Sequence, residues 1–177
     1  FFLTRRFLKK GGMAMSEGPG EFGGAIAKSF ATRMAGILDD EKIARAVHAL
    51  KTETNGFPCS GGVMSAIFYI HFGLNGNPVP GMGPQGPFFS GNAGGVSVPG
   101  GGTINGHVYT SDVAALVKNT VSFEFNAAAA YTGLLFFDAS SNLLGHLEAA
   151  SKSTVIGVGG GTGTWSNSPF EESETGA

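Results

Sequence analysis

The sequence predicts an all-β domain, either a barrel or a sandwich, that follows a helical arm. Between residues 22 and 50, apolar side chains recur every three or four positions, which is typical of amphipathic helices. After residue 56 they alternate in short segments separated by turn residues, which is typical of strands. Thirty glycines without a three-residue period exclude collagen and suit the tight curvature of a small barrel. We therefore divide the 177 residues into a basic arm (1–55), a β domain (56–166) and an acidic, disordered tail (167–177).

Charge is distributed unevenly along the chain. Nine of the eleven Lys and Arg residues lie within residues 1–51. The β domain contains six charged side chains, namely Asp112, Lys118, Glu124, Asp138, Glu148 and Lys152. Nucleic-acid binding needs many cationic side chains to neutralise phosphates, and two lysines cannot form such a face. We therefore exclude nucleic acid as a partner of the β domain.

Two amphipathic helices are predicted in the arm. The first apolar stripe consists of Phe22, Ile26, Phe30, Met34 and Ile37. Acidic residues 39–41 mark the start of a second helix, because carboxylates favour the free amides of a helix N-terminus. The second stripe consists of Ile43, Val47 and Leu50. These stripes pack either on the protein's own domain or on another copy, so self-association through the helices is one expectation.

The arm also has the composition of a membrane-surface segment, in which an amphipathic helix carries basic residues. The side chains predicted to contact a membrane are Arg5, Arg6, Lys9, Lys10, Lys28 and Arg33. No run of about 18 apolar residues occurs, so no membrane-spanning helix is predicted. Residues 1–10 lack both an initiator Met and a continuous apolar stretch, so they do not form an intact signal peptide.

The β domain is predicted to consist of short strands. Residues 64–72 alternate as one strand, whose first face carries Met64, Ala66, Phe68, Ile70 and Phe72. Residues 75–102 are rich in Gly and Pro, so strands there must be short, bent or at an edge. A strand follows over 103–110, and then a helical turn over 111–117 with Ser111 or Thr110 as its cap.

Four further strands are predicted in the second half of the domain. The first covers 121–126, with Val121, Phe123 and Phe125 facing inward and Glu124 on the polar face. The second covers 131–137 and is apolar on both faces, as expected of a covered strand. The last two cover 143–150 and 154–165.

We identify no catalytic, metal or cofactor site in the sequence. Residues 157–163 are glycine-rich, but neither a Lys-Ser/Thr pair nor a helix follows them, so they predict a curved strand and no nucleotide partner. His48, His71, His107 and His146 form neither an HxH nor an HExxH pair. The single cysteine, Cys59, excludes an internal disulfide, and is either a small buried or loop residue or a site of intermolecular pairing.

Several ordered segments of the β domain resemble the virulence-associated (Vap) proteins of pathogenic rhodococci. The similarity spans about residues 56–166 and excludes the arm. The segments that carry it are Gly106–Asp112, Thr120–Ala129, Phe136–Asp138, Leu144–His146 and Gly159–Trp165.

This resemblance implies an eight-stranded antiparallel barrel with Greek-key connections and one short helix near 112–117, packed solid without a ligand cavity or active site. Members of the family are exported and act on the host macrophage, and at least one prevents acidification of the compartment that holds the bacterium. The implied function is a non-enzymatic action on endolysosomal membranes or compartment pH, at a secreted or cell-surface location, with a host membrane or host protein as partner. The alternative is a small barrel that binds a lipid or a protein.

Overall fold

The structure is a computed structural model that describes residues 22–167. The helices are α1 (Gly23–Met34), α2 (Asp40–Thr52) and α3 (Val113–Asn119). The strands are β1 (Gly56–Ser65), β2 (Tyr69–Gly76), β3 (Phe88–Gly94), β4 (Gly100–Tyr109), β5 (Ser122–Ala127), β6 (Tyr131–Phe137), β7 (Leu143–Ser153) and β8 (Gly157–Ser166). The glycine-rich residues 157–163 therefore lie in a strand, as predicted.

The eight strands close into a barrel in the order β1-β2-β3-β8-β5-β6-β7-β4. Every neighbouring pair is antiparallel. Read around the closed barrel, β4-β1-β2-β3 and β8-β5-β6-β7 both follow the Greek-key order, in which the fourth strand returns beside the first. The expected eight-stranded antiparallel barrel is confirmed, with α3 as the short helix inserted between β4 and β5.

Aromatic side chains occupy the inside of the barrel. Phe72, Phe89, Phe123, Phe125 and Phe136 are buried there, and the ring centroids of four contacting pairs among them lie 5.0–5.6 Å apart. Edge-to-face and tilted ring pairs at this spacing add to the free energy gained by burying the rings. The interior is therefore a packed core.

The expectation of one strand over residues 64–72 is wrong. Strand β1 ends at Ser65 and β2 begins at Tyr69, with a tight turn between them. Ile70 and Phe72 point inward, whereas Met64 and Phe68, which the alternation placed on the same face, are exposed. The turn resets the alternation of side chains, so a pattern that runs through it assigns the residues before it to the wrong face.

Two smaller expectations in the second half of the domain also need correction. Phe123 and Phe125 face inward as predicted, but Val121 precedes β5 and is 44% exposed. Helix α3 is capped by Asp112, whose Oδ1 accepts a hydrogen bond of 2.9 Å from the Ala115 amide, and not by Ser111 or Thr110. Thr110 instead donates to the Leu144 carbonyl oxygen at 2.7 Å.

The arm packs on the outer face of the same barrel. Ile26, Phe30 and Leu50 are buried against Leu135 and Phe137 of β6. Strand β6 is therefore covered on both faces, as its sequence predicted. Ile37 does not join the stripe; it is 72% exposed in the connection after α1, because the helix ends at Met34.

Candidate functional site

One end of the barrel is formed by four connections that contain no charged residue. Because all neighbouring strands are antiparallel, the β1–β2, β3–β4, β5–β6 and β7–β8 connections must lie at the same end. They comprise residues 65–69, 94–100, 127–131 and 153–157. We call this surface the apolar end.

Large apolar side chains stand exposed on three of these connections. Phe68 is 71% and Val96 is 74% exposed. The others are Ile67, Val98 and Ile156. Single exposed apolar residues are ordinary, but a contiguous group marks a surface that binds a protein, a ligand or a membrane.

The β1–β2 turn holds its tip in a conformation that β-branched residues rarely adopt. Ile67 has a φ of 68°, and the Phe68 amide donates to the Ala66 carbonyl oxygen at 2.8 Å. This hydrogen bond between residues two apart, around a residue of positive φ, forms a strained γ-turn. Strained backbone of this kind is found preferentially at functional sites.

The β3–β4 connection supports this turn from the side. The Ser97 amide donates to the Ile67 carbonyl oxygen at 3.1 Å, and the hydroxyls of Ser65 and Ser97 form a buried hydrogen bond. The two most exposed tips, Phe68 and Val96, therefore belong to connections that are fixed to each other.

Amphipathic side chains lie next to these tips. Tyr69 is exposed, and its hydroxyl donates to Asn92 Oδ1 at 2.6 Å. Tyr131 stacks on Phe22 with ring centroids 5.2 Å apart, and Lys152 is exposed on β7. Phe22, the first residue described, therefore lies beside the apolar end.

The opposite end of the barrel carries charges. Its connections include Asp112, Lys118 and Asp138. Burial alone would raise the pKa of Asp138, but hydrogen bonds from Asn142 and the Ser140 amide, together with the nearby Lys42, lower it below its usual range. The two ends of the barrel therefore differ in chemistry, one apolar and one charged.

The remaining two acidic residues of the β domain are buried beneath the arm. Glu124 forms an ion pair with Arg33 of α1, and Arg33 Nε donates to Glu124 Oε1 at 2.6 Å. Glu148 lies 3.1 Å from His146 Nε2. Glu124 lies on the polar face of β5 together with Asn126, as predicted, but α1 covers that part of the strand and buries the carboxylate.

A groove of about 380 Å³ runs between the end of α1 and the barrel. Its lining is mainly apolar and includes Met34, Leu38, Phe137, Val158 and Gly160. The Arg33–Glu124 pair forms part of its wall. This volume falls in the range of small-molecule sites, which combine an apolar lining with a few polar groups.

Only two of the six predicted membrane contacts, Lys28 and Arg33, lie within the described residues. Arg5, Arg6, Lys9 and Lys10 lie outside the described residues. Lys28 is exposed on α1. Arg33 faces the barrel, with its side chain 24% exposed and bound to Glu124. Partial burial lowers the pKa of Arg33, although a guanidinium remains protonated at any physiological pH.

Sequence reasoning missed the residues of the apolar end. The alternation over 64–72 places Phe68 on the same strand face as Ile70 and Phe72, and nothing in the sequence assigns a role to Val96. The sequence does contain one indication of this surface, namely the absence of charge from residues 65–69, 94–100, 127–131 and 153–157. Only the strand order shows that these four segments meet.

Cysteine and histidine occupy ordinary structural positions. Cys59 is buried in the core, and burial raises its pKa to about 12. His71 Nδ1 lies 2.8 Å from Asn92 Oδ1, and His107 stacks on Tyr109. Within residues 22–167, no three His, Cys, Asp or Glu side chains lie close enough together to hold a metal ion. The same residues include no helix with the length and hydrophobicity needed to cross a membrane.

Comparison with known proteins shows that this chain is similar to bacterial virulence-associated proteins. Residues 19–166 match the family described as Rhodococcus equi virulence-associated protein. The solved structure of VapB from the intracellular pathogen Rhodococcus equi is similar, with a TM-score of 0.57 and 41% identity over 64% of this chain and 98% of that chain. VapD from Rhodococcus equi gives a TM-score of 0.61 and 38% identity over 65% of this chain and 100% of that chain. No curated protein matches the chain by sequence.

The family match begins earlier than the sequence motifs indicated. It starts at residue 19, so it includes both helices of the arm as well as the barrel. The expectation that the similarity begins near residue 56 was therefore too narrow.

Proposed function

This chain belongs to the Rhodococcus equi virulence-associated protein family, and on that premise we propose that it is an exported, non-enzymatic protein that acts on host endolysosomal membranes. The observation that carries the proposal is the apolar end, which exposes large apolar side chains on uncharged connections. Moving one such side chain from water into an apolar phase is favourable by about 1.5–3 kcal/mol. Several of them together provide a driving force for binding.

A lipid bilayer suits this surface because of the side chains that adjoin it. Tyrosines lie beside the exposed tips, and Lys152 is the nearest charged residue of the β domain. Tyrosine is enriched where a protein crosses from hydrocarbon to headgroups, and lysine extends its ammonium group toward water from such positions. The opposite end of the barrel, with its charged connections, is suited to solvent.

The barrel, more than the arm helices, provides the apolar contact in this proposal. The buried residues of the arm stripe, Ile26, Phe30 and Leu50, already pack on β6 and are not available to lipid. The basic residues of the N-terminal segment have a different role in this proposal. Arg5, Arg6, Lys9 and Lys10 precede Phe22, which lies beside the apolar end, so we propose that they contact anionic headgroups there.

We further propose that this contact lets protons cross the membrane and so raises compartment pH. The test uses acidic vesicles of phosphatidylcholine and phosphatidylserine with a trapped pH indicator, to which the full chain is added. We expect the wild-type chain to dissipate the gradient and Phe68→Ser to be much weaker. Ile37→Ser is the matched control, because Ile37 is as exposed as Phe68 but lies in the arm.

Three results would count against the proposal. A wild-type chain without effect on the gradient would refute the action on membranes. Equal leakage by wild type and Phe68→Ser would remove the apolar end from the mechanism. Loss of leakage on replacing Arg5, Arg6, Lys9 and Lys10 by Ser, with Phe68→Ser fully active, would assign the activity to the basic segment alone.

The groove beneath α1 favours a second candidate function, in which the protein binds a small lipid-like molecule. Its lining is mainly apolar and its volume is about 380 Å³. A fluorescent fatty acid should then bind the full chain in the absence of vesicles, and Val158→Trp should block it by filling the groove. Absence of saturable binding would reject this candidate.

A further inference from the structure

We propose that the Ile67–Phe68 turn is the element that enters the bilayer, so that the barrel binds with its apolar end toward the lipid and its charged end toward water. This inference rests on the proposed function, since it specifies how the same surface meets a membrane.

The turn projects as a fixed element. Strands β1 and β2 remain paired up to Ser65 and Ile70, so the three residues between Ser65 and Tyr69 stand directly on a rigid hairpin. The γ-turn at Ile67 and the hydrogen bond from Ser97 hold its tip in one conformation. A preorganised tip of this kind loses little conformational entropy when it binds.

The backbone of the turn is also suited to an apolar phase. In hydrocarbon, an amide or carbonyl without a hydrogen bond is costly, which excludes most open loops from the bilayer. Here the Ala66 amide donates to the Tyr69 carbonyl oxygen at 2.8 Å, and the Phe68 amide donates to Ala66. The Ile67 carbonyl oxygen accepts from Ser97. Partners within the protein thus satisfy these amide and carbonyl groups. In a loop that stays in water, water molecules could do so instead.

The depth of insertion is limited by the side chains behind the tip. Tyr69 follows the turn directly, and its hydroxyl is bound to Asn92 on the outer face of β3. The outer faces of β3 and β8 continue with polar residues such as Asn92, Thr162 and Thr164. We infer a shallow insertion in which Ile67, Phe68 and Val96 reach the acyl chains and Tyr69 lies among the headgroups.

The orientation can be measured by fluorescence depth quenching on the full chain. Phe68→Trp places a reporter at the proposed tip, and Val121→Trp places a matched reporter on a partly exposed residue near the charged end. The native Trp165 is buried and gives the same background in both variants. Vesicles of phosphatidylcholine and phosphatidylserine carry bromine atoms on the acyl chains, at shallow or deep positions.

We expect acyl-chain bromines to quench the reporter of Phe68→Trp and to leave the reporter of Val121→Trp unquenched. If Phe68→Trp sediments with vesicles while its reporter is unquenched, this inference is overturned and the action on membranes still stands. Quenching in Val121→Trp with none in Phe68→Trp would reverse the proposed orientation and overturn it equally. A chain that does not sediment with vesicles would overturn both the inference and the proposed function.

A second pair of variants tests the apolar contribution of the tip. Phe68→Ser should weaken partitioning into these vesicles about tenfold or more, whereas Phe68→Leu should restore most of it, because the contribution depends on apolar area. Equal partitioning of Phe68→Ser and wild type would overturn the assignment of the tip. Thermal unfolding of each variant checks that the barrel remains folded.

Discussion

Arg33 and Glu124, which are 91 residues apart in sequence, form the ion pair that fastens the helical arm to the barrel. Arg33 Nε donates to Glu124 Oε1 at 2.6 Å, and Arg33 also donates to Ser29 of its own helix. The carboxylate is buried beneath α1, so it depends on this partner for compensation. The pair therefore anchors the last turn of α1 on the barrel surface.

Replacing Arg33 by Ala should destabilise the docked arm. Removing one partner of a buried pair leaves the other charge uncompensated, and with Arg33 partly exposed we expect a loss of about 1–3 kcal/mol. Urea denaturation gives the global value, and hydrogen exchange of the α1 amides reports local release of the arm. Arg45→Ala is the control, because its 3.7 Å contact with Glu41 is exposed and should contribute less than about 0.5 kcal/mol. Equal losses for Arg33→Ala and Arg45→Ala would contradict the assigned role of the pair.

Truncation of Phe125 should destabilise the barrel strongly. Its ring is fully buried and contacts Phe72 at a centroid distance of 5.4 Å. Phe125→Ala should cost about 3–5 kcal/mol in urea denaturation, because the barrel cannot close over the cavity. Val121→Ala, just before the same strand, should stay within about 0.5 kcal/mol, because Val121 is exposed. A loss well under 1 kcal/mol for Phe125→Ala would mean that its ring faces solvent and that the register of β5 is shifted by one residue.

A methyl group at Gly161 should disrupt the pairing of β8 with β3. A Cβ there would lie 1.9 Å from the Asn92 carbonyl oxygen and 2.5 Å from the Ala93 Cα, both in the backbone of β3. Gly161→Ala should therefore cost about 3 kcal/mol or prevent folding. Gly94→Ala, on the neighbouring pair, meets nothing within 4 Å and should change stability by less than about 1 kcal/mol. Thermal unfolding distinguishes the two, and equal melting temperatures would be inconsistent with this packing.

The Cys59 thiol should be unreactive in the folded protein. Burial disfavours the thiolate and raises the pKa to about 12, so at about pH 8 almost all of the thiol is protonated. Alkylation by iodoacetamide should be very slow in buffer and complete in urea. This outcome would also argue against Cys59 as a site of intermolecular pairing. Rapid alkylation of the folded chain would show that the β1 strand opens locally.

Short-range patterns in the sequence were enough to predict most of the barrel and the arm. The alternation of Phe123 and Phe125 predicted their inward faces, and the apolar residues of β6 predicted a strand covered on both sides. The three- to four-residue spacing of Ile26 and Phe30 predicted the buried stripe of α1. Each of these features reflects the side-chain periodicity of one helix or strand, which residues close in sequence determine.

The errors occurred where one element meets another. The turn at Ile67 separates Met64 and Phe68 from the inward face of Ile70 and Phe72, because a hairpin resets an alternation that the sequence alone continues. The capping residue of α3 was Asp112 and not its neighbours, because Thr110 bonds to Leu144 on β7. In each case, a hydrogen bond to a distant segment accompanies the observed arrangement: Ser97 binds Ile67 at the turn, and Thr110 binds Leu144 beside the cap.

The sequence by itself determined the number and type of the elements and the shortage of charge in the β domain. The tertiary structure decided which surfaces those elements form together. Strand order brought four uncharged connections to one end of the barrel, and the docking of α1 placed Arg33 over Glu124. The physical reason is that side-chain periodicity is a local property, whereas strand pairing and helix docking join residues that are far apart in the chain.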